Sequence, residues 1–287
     1  MKLSGFAVAA AVLATTLPAS GQRIAEWPVR LSASPEAITA GLAGIFWNPA
    51  ALETTTHLRE VLLLDQRTPD VLGLNGVAGA AAVRLERTTF GVALQHVGID
   101  DIALTTESPI DSAGGFSVSE NEFVLSAAHA LTDRFSIGAT ARYSMVDYDG
   151  GENQVAIGVG TYFRPLLPFS PAFGAFALNR GDEIRWGAGA EVQTPIVSAD
   201  YTLRVNYGLM DEEGPTGANH WFGSSFDWRN LVSMGGSLIR TEEAEGASWM
   251  PLLAASLRLN RYTLGVVRES LANDFGAAYS FRLQVGF

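Results

Sequence analysis

Arginine and other polar residues recur along the chain at positions that alternate with apolar ones, and they are the first candidates for chemistry. The set that we single out is Arg84, Arg142, Arg185, Glu191, Arg204, Asn206, Arg258 and Arg282. A guanidinium group binds a carboxylate through two parallel hydrogen bonds, so these side chains could hold a substrate carboxylate or an acid of a plug segment. The same residue types could instead pair across neighbouring strands and fill a narrow polar interior. The residue types alone leave these alternatives open.

Hydrolytic chemistry needs a nucleophile beside a general base, and Ser126 with His129 is the pair to consider. Residues three apart on a strand point to opposite faces, so these two cannot form a dyad directly. The remaining histidines, His57, His96 and His220, are scattered without metal-ligand spacing, and no glycine-rich phosphate loop occurs. The sequence therefore predicts a protein that is not an enzyme, with no catalytic residue, no metal and no cofactor.

The alternation itself predicts the elements that carry the polar residues. In the last segment the apolar and aromatic positions are Ala277, Tyr279, Phe281, Leu283, Val285 and Phe287. Polar or small residues between them indicate a strand with one apolar face and one polar face. About fourteen such segments of roughly ten residues follow one another from Leu58 onward. Ten residues tilted near 45° rise about 23 Å, close to the roughly 25 Å apolar band of an outer-membrane barrel.

The predicted fold class is therefore all-β, a transmembrane antiparallel β-barrel of about 14 strands, with about 12 to 14 as the range. The connections support this class, because tight ones such as 86–88 and 260–261 alternate with longer ones such as 100–119. A membrane barrel has short turns at its inner end and longer loops at its outer end. Two connections depart from the rule: the short 149–152 is assigned to the outer end and the Pro-rich 164–171 to the inner end.

The amino terminus predicts export. Lys2 precedes an apolar run at 6–17, and small residues follow, as in a secretory signal peptide over 1–21. The run is shorter than the about 20 residues that a helix needs to cross a membrane. The rest of the chain divides into a predicted short helical plug, 22–57, and a β-barrel, 58–287.

Composition limits the partners of the protein. The chain has no cysteine, so stability must come from backbone pairing or a large core and not from disulfides. Its net charge is -11, which makes nucleic acid a poor partner because the phosphates would repel it.

Residues 40–52, with the sequence AGLAGIFWNPAAL, resemble the amino-terminal signature of the FadL-type long-chain fatty acid transporters and the related PorV-like outer-membrane proteins. The Gly-rich stretch that usually precedes the signature is replaced here by residues 32–36. The resemblance implies that a plug motif made of Phe46, Trp47, Asn48, Pro49 and Ala50 turns inside the barrel lumen. It also implies that Tyr279, Phe281 and Phe287 belong to a C-terminal signal for the barrel-assembly machinery.

The same resemblance implies a location in the bacterial outer membrane, as a monomer in contact with outer-membrane lipid and with a hydrophobic small molecule as ligand. The expected function is a channel or transporter for small hydrophobic molecules such as fatty acids. The alternative is a structural or secretion-adaptor barrel that holds partner proteins at the outer membrane. Transport predicts an apolar, ligand-sized pocket above the plug and a route past it, whereas an adaptor predicts an occluded lumen and an apolar patch on the outer loops.

Overall fold

The computed structural model describes residues 31–68, 74–103, 115–147, 153–180, 183–196, 198–211, 218–243, 246–270 and 276–287. The predicted signal peptide and the first part of the predicted plug, 22–30, lie outside the described residues. Parts of the predicted outer connections lie outside them as well.

The described residues form fourteen strands, and the predicted all-β barrel class is confirmed. The strands are β1 (Arg59–Arg67), β2 (Leu74–Leu85), β3 (Thr88–Ala103), β4 (Gly115–Thr132), β5 (Phe135–Asp147), β6 (Gln154–Phe163), β7 (Ala172–Arg180), β8 (Glu183–Ile196), β9 (Ser198–Asp211), β10 (Ala218–Trp228), β11 (Val232–Glu243), β12 (Gly246–Leu259), β13 (Tyr262–Ser270) and β14 (Ala277–Gly286). Each strand pairs antiparallel with its neighbours in sequence, and β1 pairs with β14 to close the barrel. Among the fourteen described strands, closure therefore leaves no edge strand, which is what a lipid environment requires.

The alternating residues of the sequence lie on the inward and the outward face of the barrel wall. On β5 the outward residues include Ile137, Ala139, Ala141 and Tyr143, and the buried inward residues are Ser136, Thr140, Arg142 and Ser144. A wall with an apolar outer face suits lipid contact. We call the end where β1 begins and β14 ends the inner end, and the opposite end the outer end.

Three short 3₁₀ helices precede β1 and lie inside the barrel. They span Glu36–Ile38, Gly41–Phe46 and Pro49–Thr54, and we call residues 31–57 the plug. Gly41 has a φ of 75°, a left-handed conformation that glycine adopts readily, at the start of the second helix. The first helix lies against β7 and β8, the second against β1–β4 and the third against β3–β6. Among the described residues, no helix is both long and apolar enough to cross a membrane.

Candidate functional site

Asn48 organises the plug, and its side chain is completely buried. Its Oδ1 accepts a hydrogen bond of 3.1 Å from the Ala50 N–H and so caps the third helix. Pro49 follows at the first helical position, where an N–H would have no partner. The Asn48 Nδ2 donates to the carbonyl oxygens of Ala37 at 2.7 Å and of Thr161 on β6 at 2.9 Å. One side chain therefore joins two helices of the plug to the barrel wall.

Inward-facing glycines form the wall beside this turn. Gly138 on β5 pairs directly with Gly160 on β6, and Gly174 lies on β7. A Cβ at Gly160 would overlap Asn48 Oδ1, and a Cβ at Gly174 would overlap the carbonyl oxygen of Ala37. These glycines let the plug backbone lie directly on β5–β7, an approach that a larger residue would prevent.

On the β1–β4 side, the plug packs through large apolar side chains. Leu42, Ile45, Phe46 and Leu52 are fully buried there. The wall residues of the same apolar cluster are Leu62, Leu64, Ala78, Ala80, Ala82, Ala93, Val97, Val124 and Ala128. The interior of a membrane barrel is usually polar. An apolar strip across four adjacent strands is therefore a distinctive feature of this lumen.

Arg185, one of the residues singled out in the sequence, binds an acid of the plug. Its Nη2 lies 3.3 Å from Glu36 Oε2, and the two side chains are 9% and 4% exposed. The guanidinium carbon lies 5.2 Å from the centre of the Trp47 ring, within the range of a cation–π interaction. The same Nη2 is 3.1 Å from Met210 Sδ. Trp47 of the predicted plug motif thus contacts the wall through Arg185.

Arg84 binds the second acid of the plug. Its Nη2 lies 2.6 Å from Glu53 Oε1, and its Nη1 donates to the Thr55 carbonyl oxygen at 3.3 Å. Burial raises the pKa of the Glu53 carboxyl above its ordinary value, while the positive charges of Arg84 and His129 act in the opposite direction.

Arg142 joins the wall to the second helix. Its Nη2 donates to the carbonyl oxygen of Phe46, and its Nη1 lies 3.6 Å from Glu122 Oε2. Glu122 also accepts hydrogen bonds from Gln95 and, at 3.3 Å, from Ser144 Oγ. Taking two charges out of water offsets much of their attraction. Such a network therefore defines the position of the plug more than it adds to stability.

The remaining residues of the predicted set lie nearer the inner end or deeper in the wall. Arg204 forms an ion pair of 3.0 Å with Asp227 on β10. Glu191 accepts a hydrogen bond of 3.4 Å from Ser34 of the plug. Asn206 is buried, and its amide atoms have no hydrogen-bond partner among the described residues.

Arg258 and Arg282 line a cavity of about 560 Å³ between the plug and the inner end. The outer half holds an apolar void of only about 10 Å³, beside Phe176, Met210 and Trp221. This void is much smaller than the apolar, ligand-sized pocket that transport predicts above the plug.

Tyr279, Phe281 and Phe287 occupy the positions expected for the outward face of the closing strand. Phe281 and Phe287 are 50% and 61% exposed. The Phe287 N–H donates to the Arg59 carbonyl oxygen at 2.8 Å, which continues the pairing of β14 with β1.

Ser126 and His129 point to opposite faces of β4. Ser126 is buried, and its Oγ donates a hydrogen bond of 2.8 Å to Thr140 Oγ1, whereas His129 is exposed, and its Nδ1 lies 2.9 Å from Thr88 Oγ1. Across the described ranges, no group of three or more His, Asp or Glu residues could hold a metal ion.

The alternation of polar and apolar residues does not identify the partners of the arginines. Glu36 and Glu53 flank the plug signature on either side, and this position could have marked them as acids facing the wall. Glu122 gave no comparable signal, because its pairing with Arg142 depends on the register of β4 and β5.

No model of a known protein family matches the sequence, and no curated protein matches it. Solved structures do match. The Ralstonia pickettii toluene transporter TbuX aligns with a TM-score of 0.58 at 12% identity, over 86% of this chain and 94% of that one. The CymD monoaromatic hydrocarbon channel aligns with a TM-score of 0.56 at 10% identity, over 88% and 94% of the two chains. The P. putida toluene transporter TodX aligns with a TM-score of 0.53 at 10% identity, over 85% and 92%.

The chain has the fold of these transporters. At such low identities the likeness is one of fold. It confirms the expected resemblance to FadL-type outer-membrane barrels at that level, and the architecture is that of a bacterial outer-membrane β-barrel.

Proposed function

We propose that the protein is an outer-membrane channel for small hydrophobic molecules, closed by the plug in the conformation described. The observation that carries the proposal is the apolar strip on the inner face of β1–β4. A water-filled pore would gain nothing from Leu62, Leu64 and Val124 in its lumen, since apolar surface in water is unfavourable. The plug covers this strip, and an apolar permeant could replace the plug against the same surface.

The fold supports the proposal. TbuX and TodX are toluene transporters and CymD is a monoaromatic hydrocarbon channel, and each aligns with most of this chain. Fatty acids remain one candidate permeant among small hydrophobic molecules.

Permeation through this lumen requires the plug to move. The void of about 10 Å³ in the outer half is smaller than any organic permeant, whereas the inner cavity of about 560 Å³ could receive one. The second helix is the element to displace, because its side chains cover the strip.

An adaptor function is the second candidate, and the occluded lumen favours it. On this proposal the plug stays in place and stabilises the wall, while the outer loops bind partner proteins.

We also propose that residues 1–21 direct export and that Tyr279, Phe281 and Phe287 address the barrel-assembly machinery. The mature protein would then be a monomer embedded in outer-membrane lipid.

Uptake of the hydrophobic dye N-phenylnaphthylamine by intact Gram-negative cells tests the channel. The lipopolysaccharide layer slows entry of this dye, and the dye fluoresces once it has reached phospholipid, so the rise in fluorescence measures uptake. Cells that carry the protein should take up the dye faster than cells with the empty vector. Equal rates of dye uptake with and without the protein, with folded protein verified at the cell surface, would contradict the channel function. The adaptor function would then be the remaining candidate.

A further inference from the structure

The outward surface of β4–β7 carries a hollow of about 660 Å³ with a mostly apolar lining. Four outward residues of this lining have only a methyl group as side chain: Ala127, Ala139, Ala175 and Ala177. The strand register places Ala127, Ala139 and Ala177 in one row with Val159. Short side chains on adjacent strands therefore leave a depression in the face of the wall that meets the membrane.

A row of aromatic rings borders the hollow towards the inner end. Phe135, Phe163 and Phe173 lie opposite one another on β5, β6 and β7. The ring centres of successive pairs are 6.3 Å and 6.4 Å apart, as in interacting rings. Aromatic residues on the outside of a membrane barrel mark the level of the lipid headgroups. The hollow therefore lies at the depth of the acyl chains of the inner leaflet.

Arginines of the inner-end connections lie next to these rings. Arg134 directly precedes Phe135, and Arg164 directly follows Phe163. The Arg164 N–H donates to the Arg134 carbonyl oxygen at 2.8 Å. Arg87, in the turn before β3, accepts a hydrogen bond of 2.8 Å at its carbonyl oxygen from an N–H of β4. All three arginines and Phe135 line a cavity of about 380 Å³ at the inner end. Phe135 therefore lies between a cavity with several guanidinium groups and the apolar hollow.

The charge of this cavity is positive, although the net charge of the chain is -11. Arg87 Nη2 lies 3.5 Å from Asp133 Oδ1, and the two side chains are 61% and 92% exposed, so water weakens this pair. The other acid of the cavity, Glu53, is bound by Arg84. Arg134 forms no ion pair within the part of the chain that the structure describes. An exposed guanidinium group without a carboxylate partner is well suited to a phosphate.

We propose that the wall binds one anionic phospholipid at this place, with its phosphate on Arg87 and Arg134 and one acyl chain in the hollow. The positive charge at the headgroup level and the apolar hollow beside it match the two parts of such a lipid. A second copy of the chain fits less well, because an isologous interface brings the same patch of both subunits together. Two hollows would then face each other, with the arginines of both copies close together. The site lies outside the lumen, so it goes beyond the proposed channel and does not depend on it.

Native mass spectrometry of the full-length protein in a mild non-ionic detergent tests the site by titration with three lipids that carry the same two acyl chains. They are the anionic phosphatidylglycerol, the zwitterionic phosphatidylethanolamine and diacylglycerol, which has no phosphate. Phosphatidylglycerol should bind most tightly. The double variant Arg87→Gln with Arg134→Gln should lose at least about tenfold in phosphatidylglycerol affinity, because charge-assisted hydrogen bonds to the phosphate are lost. The matched control, Arg229→Gln with Arg261→Gln, removes two exposed arginines from other inner-end turns and should keep the affinity.

A second pair of variants tests the hollow. Ala139→Phe fills it from an outward position of β5 and should lower phosphatidylglycerol affinity about tenfold, because the acyl chain loses its apolar contact with the wall. Ala141→Phe is the matched control, since it lies on the same face of the same strand but outside the lining of the hollow. Both positions face outward, so neither change alters the packing of the plug.

The comparison of the three lipids uses only the unmodified protein, so it decides the question even if a variant does not fold. Equal binding of phosphatidylglycerol and either other lipid would overturn the site. Unchanged phosphatidylglycerol affinity in the folded Arg87 and Arg134 double variant, or in Ala139→Phe, would overturn it as well. Displacement of the lipid by an equal concentration of inorganic phosphate would assign the arginines to free phosphate and contradict a lipid site. A dimer that Ala139→Phe dissociates would assign the hollow to a second copy of the chain and contradict it too.

Discussion

The plug meets the two sides of the barrel through different chemistry. Against β1–β4 it presents large side chains, with Leu42, Ile45 and Phe46 packed on an apolar strip. Against β5–β7 its backbone lies directly on glycines, and Asn48 donates a hydrogen bond to the Thr161 carbonyl oxygen of β6. Apolar packing is non-directional and tolerates sliding, whereas hydrogen bonds and steric contacts define one position. The glycine side, together with the polar contacts of Arg84 and Arg142 with the plug, therefore sets where the plug lies, and the apolar side adds non-directional packing.

The largest effect should come from filling the glycine side. Gly174→Val places a side chain where the Ala37 backbone lies, so the plug must leave its position, at a cost of about 3 kcal/mol or more. Glu36 and Glu53 are buried in the docked plug, so a protease that cleaves after glutamate reports their release by mass spectrometry. Gly79→Val is the matched control, because the nearest atom to a Cβ there is a Leu63 side-chain carbon at 3.8 Å. If both plug glutamates of the Gly174→Val variant resist the protease as they do in the unmodified protein, the glycine side does not set the position of the plug.

Truncation on the apolar side should loosen the plug without changing its position. Phe46→Ala removes a fully buried ring and should cost about 3–5 kcal/mol of docking free energy. The cavity left in an apolar cluster should stay dry and accept a small aromatic molecule. Hydrogen exchange of the plug amides should rise in the variant and fall again when toluene is added. Phe90→Ala, on the outward face of β3, should change neither measurement. A variant that toluene fails to protect would argue against an apolar site.

Removal of the hydrogen bonds of Asn48 should have an intermediate effect. Asn48→Ala with Pro49→Ala leaves the Ala37 and Thr161 carbonyl oxygens without their donor and should cost about 2–4 kcal/mol. Faster exchange of the plug amides and faster dye uptake should follow, while the thermal unfolding of the barrel followed by circular dichroism stays the same. Pro49→Ala alone keeps every hydrogen bond of Asn48 and should stay close to the unmodified protein. Normal exchange and uptake in the double variant would count against this role of the motif.

The smallest effect should be a pH dependence through Glu53. Its pKa is raised by burial, so the docked plug binds a proton at this carboxyl more tightly than an undocked plug would. Docking should therefore gain stability as the pH falls from neutral towards about 5 and lose it as the pH rises. Exchange of amides 51–56, corrected for the intrinsic pH dependence of exchange, measures this change. Glu53→Gln should remove it, and a slope of the opposite sign would show that the pairing with Arg84 outweighs burial.

Much of the barrel could be predicted from the sequence, because strand alternation has a period of two and needs no knowledge of partners. The alternation along β5 and β8 therefore predicts the inward positions of Arg142 and Arg185. The Ala-rich β2 does not reveal its inward face in the sequence, since alanine suits either face. Its inward alanines form an apolar strip only together with Leu62 and Val124 of neighbouring strands.

The arrangement of the plug could not be predicted in the same way. The plug motif predicts a turn at Asn48-Pro49, but the role of Gly160 depends on which strands meet and in what register. The pairing of Arg185 with Glu36 joins residues 149 positions apart, and only the closed barrel brings them together.

If displacement of the plug from the lumen opens the path for hydrophobic molecules, a reversible cross-link that holds the plug on the wall should close that path. A Cβ at Gly189 would lie 3.3 Å and 3.5 Å from the two γ carbons of Ile38, where the Sγ of a cysteine would be. This is near the distance of about 3 Å that a disulfide sets between a Cβ and the partner's Sγ. Because the chain has no cysteine, Ile38→Cys with Gly189→Cys introduces a single pair. In intact cells, the oxidised variant should take up N-phenylnaphthylamine no faster than cells without the protein, and reduction should restore the rate of the unmodified protein. Equal uptake by the oxidised and reduced forms, at a rate above that of the empty vector, would contradict a gate formed by the plug.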